Sequence, residues 1–144
     1  REKAPAALCR KISRAKINNI KEIEIWGDGN QTRSFLYIDD CVDATLKLVS
    51  SNYNYPINIG SEEQVSINQM VDIIEEIADY KVNRNYIDGP LGVRGRNSDN
   101  ELIEEVLKWK PNYNLKRGLE RTYNWIFKTI KEKKNSDITK FSYF

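Results

Sequence analysis

With 144 residues, 40% of them hydrophobic, the chain is long enough for one core, and a domain of this size buries roughly 68–70% of the surface its unfolded chain exposes. Its 23 basic residues against 21 acidic ones leave a net charge of +2, which gives no reason to expect binding along a nucleic-acid backbone and makes any basic site a local one. No apolar run approaches the ~18 residues of a membrane span, and the absence of histidine removes a histidine base and the usual zinc spacings.

In chain order, Ala6, Ala7, Leu8, Cys9, Ile12 and Ile17 form an apolar face interleaved with lysine and arginine, and Pro5 suits a first helical turn, so the pattern predicts a helix from 5 to 17. Ile23–Trp26 alternates, Gly27–Asn30 is a turn cluster and Arg33–Ile38 is extended again, which reads as strand, turn, strand. Asp39 and Asp40 are capping-competent and lead a helix over 40–50 that carries Val42, Thr45, Leu46 and Val49. Pro56–Gly60 is a short apolar strand. Ser66 and Gln69 sit at capping-box spacing ahead of Met70, Val71, Ile74, Ile77 and Ala78, which predicts a third helix.

Lys81–Ile87 is extended, Asp88–Asn97 is a loop rich in glycine and arginine, and Ser98 or Asp99 caps a short helix that ends before Trp109-Lys110-Pro111. A last helix over 115–130 places Leu119, Tyr123, Ile126 and Ile130 on one face, and residues 135–144 form a polar, frayed tail. Strands separated by helices indicate an α/β fold with no repeat or linker that would divide it. The two cysteines, Cys9 and Cys41, fall on helical patterns as packing residues. The chain opens on Arg1 with no apolar signal core, so it reads as soluble and cytoplasmic, and as a fragment or a processed chain.

Polar residues that this periodicity does not require gather in Glu2-Lys3 with Lys11, in Gly27–Phe35 and in Gly89–Asn97. Loops on a rigid scaffold carry a disproportionate share of binding residues. Gln31, Thr32 and Arg33 offer an amide, a hydroxyl and a guanidinium after a glycine turn, and arginine can grip phosphate with two parallel bonds; the same residues also suit a plain hairpin with a solvated arginine. Arg94-Gly95-Arg96 can clamp a diphosphate or form a basic loop, and it lacks the ending of a phosphate-cradling P-loop. Lys3 is chemically unremarkable by itself, since a lysine acts as acid or base only where its surroundings tune it.

These stretches are where a family becomes recognisable. Gly27-Asp28-Gly29, Gln31-Thr32-Arg33-Ser34-Phe35 and Asp39-Asp40 resemble the extended short-chain dehydrogenases/reductases, in their NAD-dependent epimerase/dehydratase branch. Glu2-Lys3-Ala4-Pro5-Ala6, Val93–Asn100 and Trp109-Lys110-Pro111 are similar to the carboxyl-terminal part of the GDP-mannose 3,5-epimerase family, over about residues 1 to 130. The resemblance implies a fold in which the Rossmann half that binds NAD is missing. It implies a GDP-sugar substrate, a homodimeric parent and a reaction that oxidises C4, epimerises C3 and C5 and reduces C4 again. By the same resemblance Lys3 matches a catalytic acid/base lysine, and Glu2, Lys3, Ala4, Lys11, Gln31, Thr32, Arg33 and Arg96 match substrate-binding positions. The family's glycine-rich cofactor turn, its Tyr-x-x-x-Lys motif and its catalytic cysteine are not in this sequence, so the chain alone is expected to be inactive. Other nucleotide-sugar enzymes of the superfamily, a decarboxylase or dehydratase, and a stand-alone nucleotide-sugar-binding module remain the alternatives.

Overall fold

The computed structural model describes residues 3–89 and 92–141, with side chains through residue 134. Helix α1, Ala4–Asn18, starts where Pro5 fixes the backbone and stops at Asn19, which takes a left-handed conformation (φ 53°) and donates to Ala15 and Lys16 carbonyls. It packs on α3 (Ile67–Ala78) and on α5 (Leu115–Phe141). Leu8, Cys9 and Ile12 are buried there against Met70, Ile74 and Leu119. Each fully buried side chain of this size contributes about 1.5–3 kcal/mol.

Two small sheets flank this helical layer. Strand β1 (Glu22–Trp26) pairs in parallel with β4 (Asn83–Ile87), in register from Glu22 with Asn83 to Trp26 with Ile87. Ile23 and Ile25 point into the core while Glu22, Glu24 and Trp26 face out, the period-two pattern of a half-buried strand. Strand β2 (Thr32–Ser34) lies between β3 (Gln64–Ser66), antiparallel, and β5 (Gly95–Arg96), parallel. The expected hairpin is therefore absent: β1 and β2 are consecutive but belong to different sheets. Gly27 (φ 70°) and Gly29 (φ 71°) turn the chain out of one sheet and into the other.

A second, smaller core surrounds Trp109, which is buried with Ala44 and Ile103 and donates its indole N–H to Asp43 Oδ2 at 2.9 Å. It ties α2 (Ile38–Val49) to α4 (Glu101–Leu107). Asp40 does not cap α2, whose N-cap is Tyr37. It is buried and accepts from the backbone N–H groups of Asn112 (3.1 Å) and Tyr113 (2.9 Å), pinning the loop that leads to α5. Ser66 and Gln69 form the expected capping box of α3, with both reciprocal bonds present. The N-cap of α4 is Asn100 rather than Ser98 or Asp99, although Asp99 Oδ1 accepts from Glu101 N at 3.0 Å.

Three further expectations are corrected. Helix α5 runs on to Phe141, well past Ile130. Residues 56–60 are extended but not a strand: Ile57 and Ile59 pack toward the second core, yet among the described residues no backbone bond joins them to a neighbouring strand. The apolar stripe of α2 is not buried, since Ile38, Val42, Leu46 and Val49 are 62, 49, 62 and 77% exposed.

Candidate functional site

Where the first turn of α1 meets the end of β1 and the start of β2, the surface opens into a cleft of about 550 Å³. Lys3, Ala4, Arg10, Lys11, Gln31 and Arg33 line it, together with Glu24, Trp26 and Phe35. Arg33 also borders a second pocket of about 320 Å³, shared with Asn58, Ser61 and Arg96. The two sites adjoin through a single guanidinium, held where β2 pairs with β5 and Arg33 stands in register with Arg96.

The sequence-predicted residues converge only in part. Lys3 is the N-cap residue of α1, exposed at the cleft. Lys11, two turns further along the same helix, donates to the Glu24 carbonyl at 2.6 Å and so fixes one wall. Gln31 donates to the Trp26 carbonyl at 3.2 Å, while its Oε1 is buried and bonded to nothing among the described residues, an acceptor left for a ligand hydroxyl or amine. Arg33 donates to the Thr32 carbonyl at 2.6 Å and to the Val93 carbonyl, which leaves part of its donor fork for a ligand. The Arg96 guanidinium makes no hydrogen bond or ion pair among the described residues.

Thr32 sits within the sheet, its N–H on the Arg94 carbonyl at 2.9 Å and its hydroxyl packed at Gly95. Glu2 lies outside the described residues, as do Pro90 and Leu91 of the glycine- and arginine-rich loop. Arg94 does not join Arg96 in one clamp. Its charge is felt weakly at Asp28, whose carboxyl is held below its usual range first by the Asn30 backbone N–H, next by the Asn30 side chain, and less by this arginine. Arg96 instead borders the pocket beside Arg33.

Sequence reasoning missed Glu24, Trp26 and Phe35 as wall residues. The alternation of Glu22–Trp26 was the available signal, because it places Glu24 and Trp26 on the face opposite the buried Ile23 and Ile25. Cys9 behaves as expected of a packing residue, fully buried with its thiol pushed up to about 12 by that burial, whereas Cys41 is only half-buried and belongs to neither core.

Among the described residues, Lys3, Arg10, Lys11 and Arg33 outnumber the carboxylate of Glu24 and make a cationic cleft with aromatic walls. Such a site suits a phosphorylated ligand that also carries apolar or ring surface.

Comparison with known proteins agrees with this class. Residues 2–60 match the NAD dependent epimerase/dehydratase family. The fold superposes on UDP-glucose 4-epimerase of Thermotoga maritima, solved with UDP-glucose, with a TM-score of 0.80 and 29% identity over 89% of this chain and 40% of that one. A UDP-glucuronic acid 4-epimerase of Bacillus cereus, solved with UDP-glucuronic acid and NAD, superposes with a TM-score of 0.74, 29% identity and coverage of 85% and 40%. The chain thus matches the NAD-dependent epimerase/dehydratase family over residues 2–60 and shares the extended short-chain dehydrogenase/reductase fold.

Within that family it is similar to GDP-mannose 3,5-epimerases. It is 51% identical to the Arabidopsis thaliana protein of that name over 141 residues, 96% of this chain and 36% of the relative. Identity to GDP-L-fucose synthase 1 of the same plant is 30% over 126 residues, 86% of this chain and 39% of the relative. The chain thus spans little more than a third of the length of these relatives.

Proposed function

We propose that the chain is the nucleotide-sugar-binding, carboxyl-terminal part of an NAD-dependent GDP-mannose 3,5-epimerase, which converts GDP-mannose to GDP-L-galactose and GDP-L-gulose. The observation that carries this reading is the pairing of Arg33 and Arg96 across β2 and β5, beside a cationic cleft that Lys3 borders. A diphosphate held by the two guanidinium groups leaves a sugar on one side and a nucleoside on the other. The relatives' names favour guanosine, since both the epimerases and the fucose synthases are named for GDP-sugars, and the identity to the epimerases is higher.

In this reading Gln31 Oε1 takes a ligand donor, Ala4 keeps the first turn of α1 low enough for close approach, and Lys11 acts through the wall it fixes. Glu2 and Thr32 keep the substrate-contacting roles that the resemblance assigns. Lys3 is the lysine of an acid/base pair that exchanges protons at C3 and C5 of the sugar, its partner a cysteine that this sequence does not contain. A placed acid or base of this kind contributes about 10²–10⁴ in rate, so Lys3→Ala is expected to remove epimerisation far more than binding.

The residues described here do not fit a dinucleotide. The positive-φ glycines Gly27, Gly29 and Gly92 lead into strands or loops, whereas the dinucleotide turn opens a helix. NAD, which when bound would supply the hydride chemistry at C4, is in this proposal assigned to polypeptide outside this chain. The uncovered stripe of α2 and the unpaired edge at 56–60 suit the docking of such a half, because a parallel sheet with a helix on its face needs both. A complete enzyme of this kind is expected to be a cytoplasmic homodimer, which analytical ultracentrifugation and cell fractionation would check.

The test of the binding role is calorimetric titration of the 144-residue chain with GDP-mannose and, separately, UDP-glucose. Saturable binding of GDP-mannose, tighter than that of UDP-glucose, is expected. Equal affinity for both would refute the guanosine assignment.

A further inference from the structure

The turn that delivers Gln31 and Arg33 to the cleft is held from behind by the first turn of α3. A helix leaves its first N–H groups without partners inside the helix, and here two of them take carbonyls of that turn. Ile67 N donates to Gln31 O at 3.3 Å and Asn68 N donates to Gly29 O at 3.0 Å. The Asn68 side chain adds a third and a fourth contact, from Nδ2 to the Asp28 carbonyl at 3.1 Å and to Asn30 Oδ1 at 3.4 Å. Its own Oδ1 accepts from the Tyr86 hydroxyl at 3.0 Å, which ties the clasp to β4. The fit is close: a side chain at Gly29 would put its Cβ 2.3 Å from Asn68 Oδ1, so the turn rests directly on this carboxamide.

Asn68 itself borders a separate depression, with Asp28, Asn30 and Tyr86, and is not a wall of the cleft. Its contacts reach Asp28, Gly29 and Asn30, and the next residues in the chain are Gln31 and Arg33. We propose that Asn68, braced by Tyr86, is a positioning residue that sets the affinity of the cleft by fixing the 27–31 turn. The proposal rests on the reading that the cleft takes a nucleotide sugar.

Three properties separate this role from a purely structural one. Asn68→Ala removes both side-chain donors and the acceptor, Asn68→Asp keeps the acceptor for Tyr86 but loses the donors, and Tyr86→Phe frees the carboxamide without touching the turn. Binding of GDP-mannose by the folded chain, titrated well below the midpoint of thermal unfolding, is expected to weaken about tenfold or more in both Asn68 variants, the equivalent of one to two lost hydrogen bonds. Tyr86→Phe is expected to weaken it by about two- to fivefold, part of one such bond. As a control for general destabilisation, Ile103→Val trims the second core, far from the turn, and is expected to leave the affinity unchanged. An affinity within twofold of wild type in Asn68→Asp, or an equal loss in Ile103→Val, would overturn the proposal. Failure of the unaltered chain to bind GDP-mannose would refute the reading of the cleft and this inference with it, and is told apart because no variant is needed to see it.

Discussion

Replacing Arg96 with alanine separates binding from folding in one experiment. The residue lies in the two-residue strand β5, exposed, and among the described residues its guanidinium bonds nothing in the protein. Truncating an exposed side chain of this kind changes stability by no more than about 0.5 kcal/mol. If it holds one oxygen of a diphosphate, the bond lost is charge-assisted and worth about 1.5–3 kcal/mol, which weakens binding by about 10- to 150-fold. Calorimetric titration with GDP-mannose beside a thermal melt reads both quantities. Arg33→Ala supplies the contrast: its guanidinium also holds the Thr32 and Val93 carbonyls, so affinity and melting temperature are expected to fall together. An Arg96→Ala chain that binds within twofold of wild type would refute the diphosphate assignment.

Asp40→Ala removes the acceptor of the part-buried Asn112 and Tyr113 N–H groups, each bond worth about 0.5–1.5 kcal/mol, so urea unfolding should show a loss of about 1–3 kcal/mol; a loss under about 0.5 kcal/mol would contradict the latch. The uncovered stripe of α2 should bind the dye ANS, and Leu46→Glu should lower that signal without loss of melting temperature. For Cys9 the folded chain keeps a proton up to about 12 that the unfolded chain releases near the ordinary value of 9.0. Stability therefore falls as pH rises through that window, by about 1.4 kcal/mol per pH unit, and the difference between wild type and Cys9→Ala in urea midpoints should show that slope. Thiol titration at neutral pH should accordingly find Cys41 well before Cys9.

What the sequence disclosed depended on how local the cause was. The Ser66–Gln69 box and the apolar face of α5 are written at spacings of three and four residues, and both were legible. Sheet membership was not, because alternation in Ile23–Trp26 and Arg33–Ser34 states which side is buried and not which strand is the neighbour; β4 and β5, which pair with β1 and β2, lie far along the chain. Ile57 and Ile59 carry a strand's alternation, yet residues 56–60 form no strand among the described residues and the two side chains pack on the second core, because local alternation states burial and not pairing. Asp40 reads as a helix cap by position, yet its burial against Asn112 and Tyr113 is a tertiary fact with no local trace. In the site, Lys3, Lys11, Gln31 and Arg33, which stand out from the periodicity, line the cleft, whereas Thr32 and Arg96 do not, and the cleft's aromatic wall, Trp26 and Phe35, was hidden among ordinary extended residues.

The central claim is tested most directly by the label pattern in the product. An enzyme in which this chain replaces the matching residues of the Arabidopsis thaliana relative, incubated with GDP-mannose and NAD in deuterated water, is expected to place deuterium at C3 and C5 of the galactose isomer and at C5 of the gulose isomer, and to lose that label with Lys3→Ala while still binding substrate. Label-free product, or exchange that survives Lys3→Ala, would contradict the assignment of Lys3 and of the cleft it borders.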